Sequence, residues 1–118
     1  MRAKDAVGRY GEDVAARHLA DAGLEILARN WRCTEGEIDL VAREGDVLVI
    51  CEVKTRSSEA FGLPVEAVTR RKAERLRRLA CRWLAAHEVH SVEVRFDVVG
   101  VLRSRSGPAQ VQHLRGAF

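Results

Sequence analysis

The run Val47-Leu48-Val49-Ile50-Cys51-Glu52-Val53-Lys54 constrains the fold of this chain more than any other segment. Apolar and rich in β-branched residues, it reads as a central strand of a sheet. Side chains alternate along a strand, so Glu52 and Lys54 project together near its end. Two charges at such a place are costly to desolvate without a partner or a task, which marks the segment as a candidate site.

The surrounding pattern supplies the other elements. From about Asp5 to Ala22, Val7, Tyr10, Val14, Ala15, Leu19 and Ala22 recur on one helical face, and Gly23 follows as a stop. Leu24 to Leu27 reads as a strand. Glu37 to Arg43 reads as another, with Ile38, Leu40 and Ala42 alternating against Glu37, Asp39 and Val41. Thr55 to Pro64 is loop-like and re-enters helix through Pro64, and Thr69 is a candidate N-cap for a longer helix to about His87. Val92 to Leu102 then closes the sheet, with Val92, Val94, Phe96 and Val98 on one face and Glu93, Arg95 and Asp97 on the other.

The hairpin between the second and third strands bears on the site. If Gly45-Asp46 forms a type II′ turn, Glu44 pairs with Val47 and counting back sets Asp39 opposite Glu52. Opposed carboxylates destabilise a sheet unless a cation lies between them. A three-residue loop would set Asp39 opposite Cys51 instead, and the sequence leaves both registers open.

Length and charge bound the reading. A chain of 118 residues fits one compact α+β or α/β domain over residues 1–118. Its net charge of +3 and pI near 9.1 are weak evidence for a polyanionic partner, so the distribution of charge matters more. Arg71, Arg75, Arg78 and Arg82 form a stripe on the long helix opposite Ala73, Leu76, Ala80, Trp83 and Leu84, with Glu74 the one acid between Arg70 and Arg82. That surplus favours phosphate contact over a merely solvated face. Cys33, Cys51 and Cys81 have neither disulfide-scaffold nor zinc spacing, and no apolar run reaches spanning length, which together predict a cytoplasmic protein without a membrane partner.

Carboxylates sharing a face suit Mg²⁺ or Mn²⁺, which take hard oxygen ligands and keep positions for water and a phosphate oxygen. Asp39 and Glu52 are the expected ligands, with the Val53 carbonyl as a further donor. Lys54 would orient the attacking water or neutralise charge developing on phosphorus. Glu12, on the first helix, is an additional acid if that helix packs across the sheet edge. Arg56, just past the strand, is a candidate phosphate contact.

These residues also carry a family resemblance. Asp39 followed by Glu52-Val53-Lys54 resembles the PD-(D/E)xK signature of the restriction-endonuclease-like superfamily, and Gly11-Glu12 resembles the extra acid of its Holliday-junction-resolvase branch. More closely, Gly8-Arg9-Tyr10-Gly11-Glu12, Asn30-Trp31-Arg32, Gly36-Glu37-Ile38-Asp39-Leu40, Glu52-Val53-Lys54-Thr55-Arg56, Arg95-Phe96-Asp97-Val98-Val99 and Gly116-Ala117-Phe118 resemble the uncharacterised YraN-like bacterial family over nearly the whole chain. Ile38 stands where the superfamily usually has proline. The resemblance implies an α/β fold, a restriction-endonuclease-like mixed β-sheet flanked by helices, with a nuclease-like site at Asp39, Glu52 and Lys54 joined by Glu12.

Two functions follow as expectations. One is a Mg²⁺- or Mn²⁺-dependent nuclease acting on DNA, including branched or damaged DNA. The other is a non-cleaving nucleic-acid-binding module that acts through a protein partner. By analogy with resolvases that work in pairs on symmetrical junctions, a homodimer is one assembly to consider. Glu37 is expected as a salt-bridge partner and Asp97 as a structural hydrogen-bonding group. Trp31 and Trp83 are expected in the core, and His87 and His90 as satisfied or solvated rather than metal-bound.

Overall fold

The computed structural model describes residues 6–57, 69–89 and 92–118. Helix α1 (Ala6–Asp21) leads into strand β1 (Glu25–Cys33), followed by β2 (Gly36–Glu44), β3 (Val47–Arg56), helix α2 (Arg70–Ala86), β4 (Glu93–Leu102) and β5 (Gln110–Leu114). The five strands form one sheet in sequential order, with β3 and β4 parallel and the other neighbours antiparallel. A parallel pair needs a long crossover, and α2 lies within it. The segment of the expected Pro64 re-entry, and His90, fall outside the described residues.

Local chemistry explains the boundaries. Gly23 adopts φ +99, and the amide of Leu24 closes back onto the carbonyl of Leu19 at 3.0 Å, so the left-handed residue ends α1 where the sequence places a stop. Thr69 caps α2 by accepting from the Lys72 amide at 3.2 Å. Gly45 at φ +59 starts a two-residue hairpin connection, and Glu44 pairs with Val47 as the shorter turn requires.

Two strand expectations are corrected. The strand expected over Leu24 to Leu27 runs on to Cys33, because Asn30-Trp31-Arg32 belongs to an edge strand whose polar residues need no second buried face. The Val92–Leu102 segment does not close the sheet, since β5 pairs beyond it. That short strand, Gln110 to Leu114, reads as polar, as an outer strand facing water can.

Each face of the sheet carries a helix and a separate core. On one side Ala15 and Leu19 of α1 meet Leu40, Ala42, Val49, Cys51, Val99 and Val101. On the other, Leu76, Leu79 and Trp83 of α2 meet Ile38, Val41, Leu48 and Ile50, with Trp31 packed alongside. The central strand β3 is therefore buried on both faces from Leu48 to Cys51. This α/β arrangement, a mixed sheet flanked by helices, is consistent with the restriction-endonuclease-like fold. Among the described residues no helix is long and apolar enough to cross a membrane.

One departure from regular pleating positions the site. Ile38 and Leu40 are two residues apart and were expected on one face, yet they belong to cores on opposite faces. Strand β1 changes phase at the same level, where Ala28 and Trp31 pack into one core with Asn30 between them at φ +52. Asparagine tolerates this left-handed conformation better than most residues. The register Arg29↔Leu40 and Trp31↔Ile38 puts Asn30 opposite Asp39. Regular alternation thus fails at Asp39 itself.

Candidate metal centre

The strands β2 and β3 form a fork. Their ladder runs from Glu44↔Val47 to Leu40↔Cys51 and stops, while β2 extends back to Gly36 and β3 forward to Arg56. Continued by one step, the register would place Asp39 opposite Glu52. Instead the Asp39 side chain crosses the fork, and its Oδ2 accepts the Val53 amide at 2.8 Å. In an antiparallel strand the N–H and C=O of one residue point to the same neighbour, so the Val53 carbonyl faces the fork too.

Three carboxylates gather at this point. Ligand oxygens of Glu12, Glu37 and Asp39 lie within 4.8 Å of one another. Glu12 comes from α1 and is only 2% exposed, an unusual place for a carboxylate. Its neighbour explains how the helix comes so close: a Cβ built at Gly11 would lie 1.8 Å from Thr55 Oγ1, so glycine lets α1 press against β3 beside the fork. Glu37 also bridges to Arg32 at 2.9 Å, which meets the expectation of a salt-bridge partner and adds a place beside Glu12 and Asp39.

Glu52 and Lys54 sit next to this trio in a different role. Lys54 Nζ bridges to Glu52 Oε1 at 3.0 Å with both side chains mostly buried. Their strand neighbours Cys51 and Val53 pack toward α1, so Glu52 and Lys54 project toward α2. Lys72, in the first turn of α2, lies within hydrogen-bonding reach of Lys54. Burial opposes the Lys54 charge, but contacts with Lys72 and Glu52 hold its pKa above the ordinary lysine value. For Lys72 the contact with Lys54, reinforced by burial, pulls the pKa down.

The basic residues divide. Arg71, Arg75 and Arg78 are exposed along α2, and Arg75 runs past Gly36 at the start of β2. Arg82, also exposed, donates to Glu35 at 3.1 Å, which ties the far end of the stripe to the β1–β2 turn. Arg56 is half-buried and donates to the Thr55 carbonyl at 3.3 Å.

Asp97 lies away from the fork in a network of its own. It is fully buried and accepts from Arg95 at 2.8 and 2.9 Å and from the Gly116 amide at 3.0 Å, with His113 Nε2 at 2.7 Å. Burial pushes its pKa up, but Arg95, the Gly116 amide and His113 outweigh that and hold it below the ordinary carboxylate value. Arg95 and Arg115 both reach Glu44, whose pKa is lowered chiefly by the Arg115 hydrogen bond and then by that of Arg95. This network ties β4, the C-terminal segment and the hairpin together. His87 is likewise structural, stacked on Trp83 at 4.0 Å with Nδ1 2.8 Å from the Trp83 carbonyl.

Oxygen donors fit Mg²⁺ or Mn²⁺. Glu12, Glu37 and Asp39 supply three carboxylates, and the Val53 carbonyl offers a neutral oxygen at the same fork. Three negative charges within 4.8 Å, one of them buried, repel one another unless a cation offsets them. Sequence reasoning named Asp39 and Glu12 but gave Glu37 only its salt bridge. The missed signal was Asn30, the residue tolerant of left-handed geometry opposite Asp39.

Comparison with known proteins adds kinship. The sequence model described as Uncharacterised protein family UPF0102 matches residues 11–101. A UPF0102 protein of Beutenbergia cavernae is 67% identical over 116 residues, covering 98% of each chain. One of Frankia casuarinae is 64% identical over 118 residues and covers both chains fully. A relative from Streptomyces coelicolor, also named a UPF0102 protein, is 58% identical over 98% of this chain and 91% of its own.

Proposed function

The chain belongs to the uncharacterised protein family UPF0102, and on that premise we propose that it is a divalent-metal-dependent nuclease hydrolysing phosphodiester bonds of DNA in the cytoplasm. The observation that carries the reading is the meeting of Glu12, Glu37 and Asp39 at the fork, beside the Glu52–Lys54 pair. A Mg²⁺ or Mn²⁺ ion held there supplies charge to offset that building on the phosphorus centre and makes water a stronger nucleophile. The residues of the chain do the rest.

Asp39 is oriented by its bond to the Val53 amide, which leaves its other oxygen for the ion. Glu12 and Glu37 supply further oxygens from α1 and β2. Lys54, positioned by Glu52, presents an ammonium group to the phosphate and stabilises negative charge as the bond to the leaving oxygen breaks. Arg71, Arg75 and Arg78 take the flanking backbone, where exposed guanidinium groups exchange counterions for phosphates. Three unpaired cysteines suit a reducing compartment.

The test is incubation of linear, nicked, flapped and four-way DNA with Mn²⁺ or Mg²⁺, comparing the wild type with Asp39→Asn and Lys54→Ala. Metal-dependent turnover abolished by Asp39→Asn supports the proposal. Binding that persists without substitution-sensitive turnover would favour the alternative, a non-cleaving nucleic-acid-binding module, for which the arginine stripe is the supporting observation.

A further inference from the structure

Lys54 and Lys72 bring two amines within hydrogen-bonding reach of each other, one from β3 and one from the first turn of α2. Lys54 is 16% exposed and Lys72 half-buried, so water screens the pair only in part. Among the described residues, Glu52 is the one carboxylate in salt-bridge contact with either amine. Two ammonium groups against one carboxylate leave a net positive charge in a partly closed place, and the next cation along the helix, Arg75, adds to it. The first turn of α2 contains no acid that would relieve it. Like charges held together in this way are stabilised by an anion that offers an oxygen to each.

On the nuclease reading of the neighbouring fork, which this inference deepens, we infer that Lys72 is a second cationic residue of the centre and that Lys54 and Lys72 together seat a phosphate group of the bound nucleic-acid strand. A tetrahedral phosphate presents oxygens to two amines at once, and phosphates follow one another along a strand at spacings that continue toward Arg75 and Arg71. Lys72 thereby links the arginine face of α2 to the carboxylate fork. The placement also accounts for α2 beginning beside β3: its capped first turn delivers the Lys72 side chain to Lys54.

The test has two readouts, both taken without divalent cations so that cleavage does not enter. Wild-type chain is titrated with inorganic phosphate while the side-chain NMR signals of Lys54 and Lys72 are followed, and saturable shifts at both are expected. Affinity for a short DNA duplex is then compared among wild type, Lys72→Ala, Lys72→Arg and, as a cation away from the centre, Arg105→Ala. Lys72→Ala should weaken binding about tenfold, the worth of a charge-assisted hydrogen bond, while Lys72→Arg and Arg105→Ala stay within about threefold of wild type. Lysine signals indifferent to phosphate, or a Lys72→Ala chain that binds DNA like wild type, would overturn the inference, as would a Lys72→Arg chain as weak as Lys72→Ala. Loss of metal-dependent cleavage by wild type would sink the nuclease reading alone, and full cleavage with unchanged affinity in Lys72→Ala would sink only the assignment of Lys72.

Discussion

Asp39 reaches across the open fork between β2 and β3 to accept the backbone amide of Val53 at 2.8 Å. The bond fixes one carboxylate oxygen and turns the other toward Glu12 and Glu37. Asp39→Asn keeps an oxygen for that bond while removing the charge. The variant should retain thermal stability within about 1 kcal/mol of wild type and lose the Mn²⁺-dependent rise in melting temperature, whereas Asp39→Ala should lose both. Differential scanning with and without Mn²⁺ separates the two substitutions.

Glu12 holds its charge in a buried place beside two other carboxylates. Glu12→Gln removes the repulsion while keeping the shape. The metal-free chain should therefore gain about 1 kcal/mol or stay level, and Mn²⁺ should stabilise it less than wild type. Chemical denaturation in chelator and in Mn²⁺ reads both effects.

Gly11 allows the contact that brings Glu12 to the fork. Gly11→Ala places a methyl 1.8 Å from Thr55 Oγ1, so the helix must move and the chain should lose about 1–3 kcal/mol. Thr55→Gly in the same chain should return part of that loss, because the two residues touch. Additive losses in the double variant, measured by urea unfolding, would show that the contact does not limit the approach of α1.

Much of this architecture was legible in the sequence. The apolar run of β3, the cap at Thr69 and the stop at Gly23 follow from local chemistry, and Gly45 sets the hairpin register. The edge strands were not, since β5 and the second half of β1 show little apolar alternation. The site was half legible. Counting back from the turn brings Asp39 level with Glu52, but no alternation rule foresees that the pleat breaks at Asp39 and Asn30 and turns Asp39 toward Glu12 and Glu37.

The Asp97 network predicts how the fold responds to acid. Its folded pKa lies below the unfolded value, so its stabilisation is complete above the ordinary carboxylate range and is lost as pH falls through the lower, folded value. Stability should hold at neutral pH and fall below about pH 4, and Asp97→Asn should cost about 3–5 kcal/mol at pH 7 by stranding Arg95. The variant should also show a flatter acid limb. An acid limb as steep as that of wild type would place the titrating group elsewhere.

The arginine face of α2 has its own signature. Arg75→Glu with Arg78→Glu should weaken DNA binding and flatten its dependence on salt, because fewer counterions are released. Arg82→Glu should do less, since Arg82 is already engaged by Glu35. Fluorescence anisotropy over a series of salt concentrations supplies affinity and slope together.

A crystal of the wild-type chain grown with Mn²⁺, measured for anomalous scattering at the manganese edge, tests the central claim most directly. The account predicts a peak bonded to Asp39 and to at least one of Glu12 and Glu37, with oxygen distances near 2.1 Å, about those of an octahedral hard-cation site. Anomalous density absent from the fork at saturating Mn²⁺, or confined to surface carboxylates elsewhere, would contradict it.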